Sequence, residues 1–279
     1  MTLATLREVL TPCLTDGTAV AGLVVLGWED AAAYVRAAET AGRPVILQAG
    51  PGARAHTPLP VLGAMFRHLG EAASVPVVAH LDHGESLAVC QQAVACGFTS
   101  VMFDGSALAL DDNIARTSEI AAWAHGHGVS VEAELGFVGY QGGALSQGTD
   151  PDQVARFARE TGVDALAIAI GNTHLMTEPG ATVDRARLRA IEDAAPGLPL
   201  VLHGGSGLGP GLRRQLAAET AIAKMNIGTE LRQAFGAALR QVLAQDAVLF
   251  DRLRILKATM PAMEAAALQA ILSLTPRIA

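Results

Sequence analysis

Residues 75–86 read VPVVAHLDHGES, an apolar run from Pro76 to Leu81 that ends on the polar pair Asp82-His83. A run so short of polar alternation reads as a strand buried on both faces, as in a parallel sheet covered by helices. Runs of the same kind recur at 19–25, 44–48, 100–103, 130–134, 165–170, 199–202 and 222–227. Their spacing is about one βα unit each. Eight such units in 279 residues predict an α/β protein, a (β/α)8 TIM barrel rather than a doubly wound open sheet. No linker or composition shift divides the chain, so 1–279 reads as one domain with a helical extension from about 246 to 279.

The segments between the runs carry helix punctuation. Asp150 can cap a helix that starts at Pro151, places Val154, Phe157 and Ala158 on one face, and ends at Gly162. Ile114, Ile120, Ala121 and Ala124 mark a second amphipathic helix, and Leu231, Phe235, Leu239 and Val242 a third. The glycine-rich stretch 136–150 reads as a mobile loop above the barrel.

Composition narrows the function classes. With 51% hydrophobic and 17% charged residues the chain has ample apolar surface to order itself, which excludes a disordered protein. Only 4% of residues are aromatic, so the core is aliphatic. A net charge of −7 without basic clusters argues against nucleic acid as a partner, while leaving room for a local phosphate pocket. No long stretch is apolar throughout, so no membrane span is expected. The N-terminus MTLATLREVL has no secretory signal pattern, and Cys13, Cys90 and Cys96 lack metal-knuckle spacing. Reduced thiols and a cytoplasmic location are the expectation.

Residues at the C-terminal ends of barrel strands face a common site. Those ends bear Asp82 and His83 after the third run, Asp104 after the fourth and Glu134 ending the fifth. His174, His203 and Asn226 follow from the sixth, seventh and eighth. Three neutral imidazoles suit Zn²⁺ with a coordination position left open. His80 is excluded from that set because residues three apart on a strand face opposite ways, and His56, His68, His125 and His127 join it in surface or helix-end roles. The run His203-Gly204-Gly205-Ser206-Gly207 and the run Asn226-Ile227-Gly228-Thr229 offer backbone N–H groups and a helix N-terminus to a phosphate, in the units where barrels commonly bind one. The serine is not a hydrolase elbow, because Leu208 stands where that pattern needs glycine.

These stretches, together with SVMFDGS at 100–106, VSVEAELG at 129–136, TGVDALAIAIGNTH at 161–174, LPLVLHGGSG at 198–207 and AKMNIGTELRQAF at 223–235, closely resemble the class II, zinc-dependent fructose- and tagatose-bisphosphate aldolases. The resemblance covers most of residues 40–240, in the family's order. It implies that His83, His174 and His203 bind one Zn²⁺ per subunit, with a monovalent cation as an optional second cofactor. It implies that Asp82 is the acid/base at the aldehyde oxygen. Gly204, Gly205 and Ser206 with Asn226, Ile227, Gly228 and Thr229 would hold dihydroxyacetone phosphate. Asp104 and Glu134 would orient the imidazoles or serve as alternative ligands. The implied reaction is reversible cleavage of a phosphorylated ketose, of the ketose-bisphosphate type, through a metal-stabilised enediolate. A small sugar phosphate is the implied partner, and a dimer or tetramer the implied assembly.

The chain departs from the family where the second half of the substrate would lie. An Asn-rich segment usual near the end of the first strand is Gly22-Leu23-Val24-Val25-Leu26-Gly27 here, and a serine usual after the second is replaced within Gln48-Ala49-Gly50-Pro51. Leu175 stands in place of the glycine that usually follows the second histidine. No carboxylate lies between Glu134 and Asp150, and no arginine occupies the place near Lys257 that often meets a distal phosphate. Two alternatives therefore stand beside the bisphosphate reading. One is an aldolase with a different donor or a non-phosphorylated aldehyde, and the other a non-catalytic sugar-phosphate sensor.

Overall fold

Each of the eight apolar runs forms a parallel strand, and the strands close into a barrel in sequence order. The computed structural model describes residues 3–140, 142–178 and 180–275. The strands are β1 (Val20–Val24), β2 (Val45–Ala49), β3 (Val77–Gly84), β4 (Ser100–Phe103), β5 (Ser130–Leu135), β6 (Ala165–Ile168), β7 (Leu200–Leu202) and β8 (Ile222–Ile227). Helices α1 (Leu6–Leu10) and α2 (Cys13–Asp16) precede β1, and α3 (Trp28–Ala41) follows it. After β2 come α4 (Pro51–His56) and α5 (Leu59–Ala72), then α6 (Leu87–Ala95), α7 (Leu110–Gly126), α8 (Pro151–Thr161) and α9 (Arg185–Ala194) after successive strands. A 3-10 turn at Gly205–Gly207 and α10 (Pro210–Glu219) follow β7, and α11 (Thr229–Gln245) and α12 (Arg252–Leu272) complete the chain. Closure comes from β1 pairing with β8, with Gly22 opposite Asn226.

The barrel is dry below and polar above. Val20, Ile46, Val78, Met102, Ala167 and Val201 fill its lower interior and meet Leu6, Val9 and Leu10 of α1, which plugs the bottom. That short helix is fixed by reciprocal capping, with Thr5 Oγ1 accepting from the Glu8 amide and the Thr5 amide donating to Glu8 Oε2 at 2.7 Å. A second, larger apolar layer lies between strands and helices. The upper interior instead carries Gln48, His80, Glu132, Lys224 and His203, all fully buried. The fold thus gathers these polar side chains in the upper interior, toward the C-terminal ends of the strands.

The helix signals hold for α8, capped by Asp150 and ended by Gly162 at φ +65°. They hold for α7, where Ile114, Ile120, Ala121 and Ala124 are buried. The α11 stripe is different, since of its four apolar positions only Leu231 is buried. The remaining three are partly exposed because α11 leads away from the barrel toward α12. The expected C-terminal helix is α12, and residues 276–279 of that extension lie outside the described residues. By length and composition alone α12 could cross a membrane, but Met263, Ala267, Ala270 and Ile271 are buried within the protein. Cys13 and Cys90 are buried free thiols, and Cys96 is partly buried.

Candidate active site

Asp82 and His83 are neighbours on β3 and would ordinarily face opposite sides of the sheet. They lie within the strand rather than after it. Between the pairs Leu81↔Val101 and Gly84↔Phe103 the β3 chain carries one extra residue, a bulge that re-aims its side chains. His83 sits there in the left-handed region at φ +50°. Gly84 follows because a Cβ there would lie 2.7 Å from the Met102 carbonyl oxygen.

The structure brings His83, His174 and His203 together, with one ligand atom of each lying within 4.8 Å of the others. Ring centroids are 4.9 Å apart for His83 and His203, 5.6 Å for His83 and His174, and 5.5 Å for His174 and His203. Each ring has a distinct environment. His83 Nδ1 pairs with Asp104 Oδ2 at 2.7 Å, which leaves the Nε2 lone pair of the neutral ring free. His203 is the reverse: Nε2 pairs with Glu132 Oε1 at 3.1 Å, and the buried Nδ1 has no protein partner. His174 is stacked by Tyr140 at 4.8 Å.

Burial holds His203 well below the usual histidine range, and burial with the nearby His83 brings His174 down to about 4. Burial would lower His83 too, but Asp82, Asp104 and Glu134 outweigh it and raise that imidazole to about 9. Burial pushes Glu134 up to about 8 against the pull of His83. Asp104 goes the other way, because hydrogen bonds from His83 and Ser106 overcome its burial.

Glu134 Oε2 lies 3.8 Å from both His83 Nδ1 and His203 Nδ1 and has no hydrogen-bond partner. Two buried orphans facing each other, one nitrogen and one oxygen, are costly unless a cation joins them. The donor set therefore fits a divalent metal. Asp104 and Glu134 also form a group with His83 that could hold an ion.

The loops after β7 and β8 interlock. Ser206 Oγ accepts from the Gly228 and Glu230 amides at 3.3 and 3.4 Å, joining the turn after β7 to the start of α11. Gly204 has φ +68°, and a Cβ there would lie 2.2 Å from the Thr173 carbonyl oxygen. Ile227 is fully buried in the outer core, so only its backbone could face a ligand. Asn226 Nδ2 donates to Asp82 Oδ1 at 3.4 Å, and its Oδ1 is unpaired. Thr229 opens α11 and lines a cavity of about 460 Å³ with Leu175, Thr177 and Arg232.

Several residues of this site were not anticipated. His80 is fully buried, not at the surface: its Nδ1 pairs with Ser100 Oγ at 2.9 Å and its Nε2 with Lys224 Nζ at 3.2 Å. Lys224 also donates to Glu132 Oε2 at 2.6 Å. Period-two alternation was the available signal, since Glu132 shares a face with Glu134, and Lys224 with Asn226. Arg213 reaches the Gly205 carbonyl and both carboxylate oxygens of Glu230, tying the two loops together. Arg54 contacts the carbonyls of Asp82 and His83.

A family model described as fructose-bisphosphate aldolase class-II matches residues 4–275. A fructose-bisphosphate aldolase of Geobacillus stearothermophilus is 36% identical over 265 residues, 92% of this chain and 91% of its own. A 6-phospho-5-dehydro-2-deoxy-D-gluconate aldolase of Shouchella clausii is 38% identical over 244 residues, 85% of this chain and 82% of its own. Among solved structures, the YdjI aldolase of Escherichia coli superposes with a TM-score of 0.86 at 34% identity, covering 98% of this chain and 97% of that one.

Proposed function

Because the chain belongs to the class-II fructose-bisphosphate aldolase family and is therefore a carbon–carbon lyase, we propose that it cleaves a phosphorylated ketose reversibly to dihydroxyacetone phosphate and an aldehyde, using zinc. The observation that carries this reading is the convergence of three imidazoles with the acid/base candidate Asp82 at the mouth of one barrel. Zinc held by His83, His174 and His203 would supply Lewis acidity to the ketose oxygens, stabilising the charge left on C3 when the C3–C4 bond breaks.

The protein's own part follows from position. Asp82 is 6% exposed, enough to meet a substrate while largely shielded from water. In cleavage it takes the proton of the C4 hydroxyl, and in condensation it returns that proton to the aldehyde oxygen. Asn226 donates to Asp82 and keeps one carboxylate oxygen oriented. The interlocked loops at Gly204–Ser206 and 226–229 present the N-terminus of the 17-residue helix α11 to the donor phosphate. Asp104 orients His83, and Glu132 orients His203.

The aldehyde half is best read as carrying no phosphate. Tyr140, stacked on His174, and Leu175, directly after it, are 43% and 45% exposed, and Leu26, 40% exposed, follows β1 at the same end of the barrel. Of the two relatives, one is named for a bisphosphate and the other for a substrate with one phospho group, so both kinds of substrate occur among the names of proteins similar to this chain. A small sugar phosphate is the only partner this reading requires, and the assembly we favour is a homo-oligomer in the cytoplasm.

The test is a panel of fructose 1,6-bisphosphate, tagatose 1,6-bisphosphate and ketose 1-phosphates of different lengths, given to zinc-loaded and chelator-treated protein. Dihydroxyacetone phosphate should appear with the loaded protein alone, and fastest from a 1-phosphate. Turnover indifferent to chelation would sink the zinc reading, and a preference for bisphosphates would sink the acceptor assignment.

A further inference from the structure

The bulge that turns Asp82 and His83 into the site removes their backbone from regular pairing. On the β2 side, pairing with β3 stops at Ala49↔Leu81. Beyond it, Arg54 takes over. Its Nη1 donates to the carbonyl oxygens of Ala49 at 2.9 Å and Asp82 at 2.6 Å, and its Nη2 to that of His83 at 3.0 Å and to Glu85 Oε2 at 3.1 Å. The Arg54 side chain is 10% exposed, so little water competes for its three bonds to carbonyl oxygens, whereas the Glu85 carboxylate, 71% exposed, meets solvent.

Resting on the roles assigned above to Asp82 and His83, we propose that Arg54 is a positioning residue: its guanidinium fork replaces the missing ladder and holds the acid/base and the first metal ligand in one geometry. The inference depends on the fork. A planar guanidinium presents parallel N–H groups, so adjacent carbonyls bound by it cannot rotate independently. A left-handed histidine backbone has no intrinsic reason to persist; the surrounding structure must over-determine it. Arg54 does so from α4, a six-residue helix that starts at Pro51 directly after β2. A lysine has the charge but offers a point donor, and cannot span all four acceptors in fixed directions.

The experiment compares wild type, Arg54→Lys and Arg54→Ala by zinc affinity in competition with a chelator, by steady-state kinetics, and by melting of the metal-free form. Arg54→Ala should weaken zinc binding tenfold or more and lower kcat about a hundredfold, the scale expected of a small misplacement of reacting groups. KM for the donor should hold, because its phosphate loops belong to β7 and β8. Arg54→Lys should fall between the two, and millimolar guanidinium should restore part of the kcat of Arg54→Ala. If Arg54→Ala does not fold, the lysine variant decides by the same two readouts. Wild-type zinc affinity and kcat in a folded variant, whatever its melting temperature, would overturn the inference. If wild-type protein binds zinc but turns over no ketose phosphate, the functional reading fails, while zinc affinity still tests the role of Arg54.

Discussion

Glu132 and His203 share a 3.1 Å hydrogen bond inside the barrel, where both side chains are fully buried. The other carboxylate oxygen of Glu132 receives Lys224 Nζ, so one anion serves an imidazole above and an ammonium beside it. This arrangement selects the His203 tautomer whose Nδ1 is free for a metal.

Glu132→Gln keeps the shape but removes the charge. The His203 ring becomes a poorer ligand, and Lys224 becomes an unpaired buried cation, a defect that costs about 3–5 kcal/mol when nothing relaxes. Zinc affinity measured by chelator competition should fall about 10- to 100-fold. The double variant Glu132→Gln with Lys224→Met should recover melting temperature but not zinc affinity. Recovery of both would show that the carboxylate matters only as a counter-charge.

Asp82→Asn separates acid/base chemistry from metal binding. The amide retains the size of the side chain beside Asn226 but cannot take a proton from a hydroxyl. Its kcat should fall about 10²- to 10⁴-fold, with zinc content per subunit unchanged by elemental analysis. A variant that keeps its turnover would remove Asp82 from the reaction.

How much of this was legible depended on whether the signal was local. All eight strands were legible because a strand buried on both faces is mostly apolar, with few polar residues to break the run; even so β6 stops at Ile168, where Asn172 Oδ1 accepts from the Ile170 amide and begins the turn. The bend at His83 was implied by two functional residues standing side by side on one strand. The histidine cluster was legible because it follows from counting strand ends. The network of His80, Glu132 and Lys224 was not, since a polar residue inside an apolar run gives no hint of its partner. Its members meet across separations of 92 and 144 residues. Arg54 was equally silent, because its acceptors are backbone carbonyls exposed only by the bulge.

Leu175 occupies the left-handed region at φ +61° directly after His174. For a residue with a Cβ this costs about 1–2 kcal/mol; glycine removes that strain, but its greater freedom in the unfolded chain cancels part of the gain. Leu175→Gly should therefore raise the melting temperature slightly, by about 1–3 °C. Leu175→Val should lower it, since a β-branched residue tolerates this backbone least. Calorimetry of the pair checks the sign, and equal shifts in one direction would show that the side chain's contacts decide instead.

His80 makes stability depend on pH in a definite direction. Burial, reinforced by Lys224, holds its imidazole well below the ordinary value of 6.5. Between that depressed value and 6.5 the unfolded chain binds a proton here that the native chain does not. Its contribution is therefore complete above pH 6.5 and drains away as the pH falls, by at most about 1.4 kcal/mol per pH unit for one group. Replacing His80 with asparagine deletes this titration while leaving an amide to meet Ser100 and Lys224. In metal-free protein, denaturant titrations at pH 7, 6 and 5 should show wild type losing stability more steeply than His80→Asn. Parallel slopes would mean that the native barrel accepts the proton, with Glu132 close enough to neutralise it at 3.5 Å.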